Sequence, residues 1–105
     1  MNTETEPAAE QRHAPSEDAT FIVNIIAAAG DHDGPALRRQ LANLDPADIA
    51  DVIEYVPLET ARTIAKMVGR YLPPEFLAEL SWERREEILP DLPNDYVGRA
   101  LGQLD

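Results

Sequence analysis

Prolines set the strictest limit on what this chain can become. Pro46, Pro57, the pair Pro73-Pro74, Pro90 and Pro93 interrupt the stretch after Leu44 and divide it into segments of about two or three helical turns. Proline suits the first turn of a helix, because its φ is preset and the missing amide hydrogen is not needed there. Inside a helix it breaks the ladder. Between the prolines, apolar residues recur at helical spacing: Ile49, Val52, Ile53 and Val56, then Ala61, Ile64, Ala65, Val68 and Leu72. The alternation of a strand is absent. Helices this short are not stable alone, since isolated helices need about 12–15 residues. They have to stack on one another. The spacing therefore predicts an all-α stack of short helices, a quasi-repeat with an apolar stripe in each member.

The individual helices can be placed from their caps. Ser16-Glu17-Asp18 offers an N-cap and a negative first turn for a helix carrying Phe21, Ile22, Ile25, Ile26 and Ala29, with Gly30 as its stop. Phe21-Ile22-Val23 also has the β-branched character of a strand start, but the alanines and closing glycine favour helix. Asp31-His32-Asp33-Gly34 reads as a turn or, with two carboxylates around a histidine, as a metal site. Pro35 opens the next helix, with Leu37, Leu41 and Leu44 inward. Leu44-Asp45-Pro46 places a capping carboxylate before a helical proline. Phe76, Leu77 and Leu80 predict a short helix after Pro73-Pro74. Ser81 caps another that carries Trp82, Ile88 and Leu89, with Trp82 expected to pack against the core. Asn94 caps the last, with Val97, Ala100, Leu101 and Leu104 in register.

Residues 1–15 hold Glu4, Glu6, Glu10 and Arg12 and, after Met1, no aliphatic residue larger than alanine. Such a segment buries too little apolar surface to offset its ordering entropy, so it reads as a disordered acidic tail in which His13 has no role. Residues 16–105 form the domain. Across all 105 residues, 20 acidic side chains stand against 9 basic ones, for a net charge of -11. A surface this negative repels phosphates and anionic lipid, which argues against nucleic-acid binding and membrane docking. No apolar run approaches the ~18 residues of a membrane span, and the N-terminus has no secretory signal. With no cysteine, thiolate chemistry and disulfides are excluded. The reading is a cytoplasmic module.

Little catalytic chemistry remains. Ser16 and Ser81 sit at cap positions, and the two histidines lie in the tail and a turn, so no nucleophile meets a base. No glycine-rich phosphate loop or zinc-binding helix occurs, and an enzyme is not expected. Carboxylates are the available ligands. Asp48, Asp51 and Glu54 recur every third residue on one helix, Glu75 and Glu79 at i and i+4 share a face of another, and Glu83, Glu86 and Glu87 crowd a third. Each set is either a solvated face or part of a site for a hard divalent cation, which takes one or two carboxylates and keeps several waters. Arg62, Lys66 and Arg70, four residues apart along one helix, pair internally or present a docking edge, with internal pairing favoured by the surrounding negative charge.

From Leu44-Asp45-Pro46-Ala47-Asp48-Ile49-Ala50-Asp51 the chain resembles the intracellular N domain of MgtE-type magnesium transporters, where a comparable Leu-x-Pro-x-Asp opening starts a stack of short helices. The Gly30-Asp31 turn, the helix from Pro35, and the Pro73-Pro74-Glu75 and Leu80-Ser81 joints look like the same layout. The resemblance runs from about residue 20 to the C-terminus. It implies a right-handed, armadillo-like superhelix. It also implies a cytosolic regulatory domain, followed in the family by a CBS pair and a membrane channel, usually in a homodimer. In that family Mg²⁺ bridges acidic residues of the N and CBS domains and favours the closed pore. By position, the resemblance assigns Glu75 as a metal ligand. Other family ligands lie on a later helix that this chain, ending at Asp105, is expected to lack, so that it reads as a fragment or a free-standing relative. The rival reading is a helical adaptor that binds a protein partner without metal, and a third is an accessory subunit of an enzyme.

Overall fold

Four helices begin in the same way, with a side-chain oxygen accepting the amide hydrogen three residues on. Asp18 accepts from Phe21 (3.1 Å), Asp33 from Ala36 (3.1 Å), Asp45 from Asp48 (2.9 Å) and Ser81 from Arg84 (3.1 Å). Each bond satisfies one of the first-turn amides that a helix leaves without a partner. In the structure, a computed structural model, residues 14–102 are described. They form α1 (Ala19–Gly30), α2 (Gly34–Leu41), α3 (Pro46–Tyr55), α4 (Leu58–Val68), α5 (Trp82–Ile88) and α6 (Asn94–Gly102). Short 3-10 turns occupy Pro15–Glu17, Gly69–Tyr71, Pro74–Glu79 and Leu89–Asp91. No strand occurs among the described residues, so the all-α expectation holds and the strand alternative at Phe21 does not. The expected tail lies outside the described residues up to His13, as does Leu104. Pro15, counted with that tail, already belongs to the first 3-10 turn.

The elements pack with a stagger. α3 carries the Pro74–Glu79 turn, which in turn carries α6; alongside, α1 and α2 pack on α4, and α4 packs on α5. The resulting slab measures 52 × 36 × 22 Å. Its thinnest dimension is about two helix diameters. One apolar seam runs through it, and Ile25, Leu37, Val52, Ala61, Ile64, Phe76, Leu77, Ile88 and Ala100 in that seam have no exposed surface.

Several local expectations are corrected. Ser16 is not the cap of α1: it lies inside the Pro15–Glu17 turn, its amide donates to Asp51 Oδ2 (2.7 Å), and Asp18 caps instead. α1 does end at Gly30 as expected, and the left-handed residue that follows it is His32, at φ 55. The amides of His32 and Asp33 donate to Ala29 (3.0 Å) and Ala28 (2.9 Å) there, a position that usually favours glycine. Phe76 and Leu77 lie in the 3-10 helix Pro74–Glu79 and Leu80 follows it, although Phe76, Leu77 and Leu80 are buried as expected. Trp82 is 65% exposed rather than packed, because it lies about 120° around α5 from the buried Ile88. Ile26 and Leu101 are also exposed, at the margins of their stripes. α6 starts at Asn94, and the Pro93 carbonyl takes its first bond, from the Val97 amide (2.9 Å); the capping position therefore falls on Pro93. Its buried residues are Ala100, as predicted, and Tyr96, one position from the predicted Val97.

Two substitutions test this packing. A Cβ on Gly69 meets the buried Leu92 side chain, whereas one on Gly30 meets nothing. Urea unfolding should show Gly69→Ala destabilising by about 1–3 kcal/mol. His32→Gly should stabilise by about 1 kcal/mol, through relief of the left-handed backbone.

Candidate functional site

Half of the acidic side chains proposed as cation ligands already have structural work: Asp48, Asp51, Glu54 and Glu87, but not Glu75, Glu79, Glu83 or Glu86. Asp51 holds the Ser16 amide and so ties the first turn to α3. Glu54, one helical turn further on, accepts the Ser81 amide at the start of α5. Glu87 pairs with Arg84 (3.1 Å) and Asp95 with Arg99 (3.9 Å). Asp48 also has an interaction partner. A carboxylate engaged in this way is a poor candidate for an exchangeable ion, since the ion has to compete with a contact that organises the fold. The Asp-His-Asp turn is likewise structural: Asp33 caps α2, and no three His, Asp or Glu residues among the described ones converge to hold a metal.

The basic stripe divides. Arg62 Nε lies 3.5 Å and Lys66 Nζ 3.8 Å from the half-buried carboxylate of Asp91, so these two pair internally as expected. Asp91 Oδ2 is buried without a hydrogen bond, held by charge alone. Arg70 falls past the end of α4, in the Gly69–Tyr71 turn, and has no ion pair among the described residues. Arg84 supplies a contact the sequence did not signal. Its Nη1 donates to the carbonyls of Ile53 (2.8 Å) and Val56 (3.0 Å), closing the C-terminal end of α3, where orphan carbonyls attract cations.

Glu75 stands apart from this set. It is the second residue of the Pro74–Glu79 turn, exposed, and neither hydrogen-bonded nor ion-paired among the described residues. Its neighbours Phe76 and Leu77 are completely buried, which anchors the backbone beneath it. Glu79 does not share its face. The segment is a 3-10 helix with about three residues per turn, so positions four apart lie about 120° around the axis. A free carboxylate on a fixed backbone is a donor Mg²⁺ accepts. Alone, one carboxylate does not enclose an ion.

Tyr96 reports on the same corner. Its side chain is buried, and its hydroxyl donates to the Leu72 carbonyl (2.7 Å), just before the double-proline joint that leads to Glu75. Burial first, and then the negative charge of Glu75, push the phenol up to about 12, while Arg99 pulls it down. Sequence periodicity passed over this residue because a tyrosine beside Val97 resembles a surface residue; its hydroxyl is buried because the Leu72 carbonyl receives it.

An all-α slab of short, carboxylate-capped helices with proline joints is the class this chain defines. The chain belongs to the MgtE intracellular N domain family, whose model matches residues 44–105. The match opens at Leu44, not near residue 20, so α1 and α2 lie outside it. This is a magnesium-transporter domain family rather than an enzyme family. No helix among the described residues is long and apolar enough to cross a membrane. No curated protein and no solved structure matches the chain.

The raised Tyr96 phenol sets a pH dependence. The folded state retains a proton that an unfolded tyrosine releases near 10, so Tyr96's contribution to stability is intact below pH ~10 and is lost as pH rises through about 12. Denaturant melts across that range should show the parent weakening, and Tyr96→Phe should flatten this limb while costing about 1 kcal/mol at neutral pH.

Proposed function

We propose that this chain is the Mg²⁺-responsive regulatory domain of a transporter, with Glu75 as its contribution to a bridged contact with a neighbouring CBS pair. The observation that carries this reading is the free, outward Glu75 carboxylate on a turn whose backbone is locked by Phe76 and Leu77. Family membership supports the transporter context.

The physical basis is repulsion. A chain of net charge -11 brought against another acidic surface meets unfavourable Coulomb energy at close range. Bound Mg²⁺ supplies two positive charges between the facing carboxylates. Glu75 holds one side of that contact, and the rigid turn carries the constraint into the stack through Leu72, Tyr96 and α3. When Glu75 and its counterpart face each other bare, they repel and the domains part. The associated arrangement favours the closed pore, so the cytosolic cation level shifts a population between two domain arrangements.

The test uses the protein that carries this domain together with its CBS pair. Fluorescence transfer between labels on the two should rise on titration with Mg²⁺. Glu75→Gln, which keeps the shape and removes the charge, should shift the midpoint to about tenfold more Mg²⁺, equivalent to ~1.4 kcal/mol. Association that ignores both Mg²⁺ and the substitution favours the metal-independent adaptor instead.

A further inference from the structure

Charge on this chain is unevenly placed. No acidic residue occurs from 34 to 44 or from 60 to 74, yet these stretches hold Arg38, Arg39, Arg62, Lys66 and Arg70, five of the nine basic residues. Folding brings the stretches together because α2 packs on α4. Arg62 and Lys66 are committed to Asp91. Arg84 and Arg85 are spent on backbone carbonyls, and Arg99 pairs with Asp95. Arg38, Arg39 and Arg70 have no carboxylate partner among the described residues. On a chain of net charge -11, three arginines without carboxylates at one end are unexpected.

Two of them line a groove. Arg38 and Arg39 share a depression of about 600 Å³ with Leu41, Leu44, Val68 and Tyr71. Tyr71 is 56% exposed, and the Arg38 guanidinium lies over its ring, 3.9 Å from the centroid. A stacked guanidinium is held in orientation while its N–H edge stays available as a fork for a carboxylate. An apolar lining with a few oriented charges, at this volume, is the general character of a binding cleft.

The sign of the charge selects the occupant. Cationic groups find better company elsewhere on this surface, while an anionic group here meets arginines with nothing else to neutralise them. We infer that the groove between α2 and the Gly69–Tyr71 turn docks an acidic protein segment that also carries apolar side chains. Its carboxylates sit on Arg38 and Arg39, and its apolar residues rest against Leu44 and Tyr71. The net charge of the domain does not forbid this, because at ~0.1 M salt charges beyond about 10 Å are screened and the segment responds to the local arginines. The groove joins α2, outside the region matching the family model, to α4 and the turn after it, inside that region. It needs neither Glu75 nor a metal.

Fluorescence anisotropy with the full chain and a fluorescein-labelled synthetic peptide of alternating leucine and glutamate, in EDTA, tests the inference. The peptide should bind, and binding should weaken as NaCl is raised from physiological strength. The Arg38→Gln/Arg39→Gln double variant should weaken it about tenfold or more, with circular dichroism unchanged because both residues are exposed. Tyr71→Ala should also weaken it, through loss of the stack, and Glu75→Gln should leave it unchanged. Because EDTA removes Mg²⁺ throughout, failure of the Glu75 reading does not move this result. No binding, or undiminished binding to the double variant, overturns the inference.

Discussion

Ala61, Ile64, Ala65 and Val68 form the inward side of α4, and α1, α2, α5 and the Leu89–Asp91 turn all lie against that helix. None of those elements exceeds twelve residues, and each is stable only while its apolar stripe is covered. The two alanines on α4 let neighbouring helices approach closely, and the branched residues between them fill the space left over. Gly69, directly after α4, extends this close approach to Leu92. Loss of packing along α4 therefore affects several elements at once.

The large negative charge is compatible with this fold because much of it is used locally. Asp18, Asp33 and Asp45 satisfy helix amides, Asp51 and Glu54 tie distant segments by their amides, and Asp91 balances two cations. Arg84 works at the opposite pole of α3, on its C-terminal carbonyls. Glu75, Glu79, Glu83 and Glu86 remain exposed without such a contact, and of these Glu75 stands directly before the buried Phe76 and Leu77. Its surroundings are tied to the last helix by the Tyr96–Leu72 hydrogen bond, so a force applied at Glu75 reaches α6 as well as α3.

The same sorting of charge divides the surface. The acid-free stretches around α2 and α4 gather arginines at one groove, while carboxylates dominate the N- and C-terminal thirds of the chain. The proposed metal-dependent contact through Glu75 is lost to chelator, whereas the proposed contact through Arg38 and Arg39 is indifferent to it, which makes them separable.

Much of the architecture was legible because proline, capping carboxylates and 3.6-residue periodicity act over a few residues: the joints at Pro57 and Pro73, the cap at Asp45, and the buried Ile49, Val52, Ile53, Ala61 and Ile64 follow directly. Glu75 could be named by resemblance, but its isolation could not be foreseen. Whether a carboxylate is free depends on which amides and guanidinium groups folding brings to its neighbours. Asp51 and Glu54 read as surface acids until Ser16 and Ser81, distant in sequence, arrive beside them. Tyr96 lies off the predicted stripe of α6, yet the Leu72 carbonyl meets its buried hydroxyl, and Trp82 reads as core until the rotation of α5 turns it outward. Local chemistry along the chain determined which segments become helices and where they stop. Tertiary packing alone decided which charges are neutralised, because a partner's position in space is a property of the whole fold.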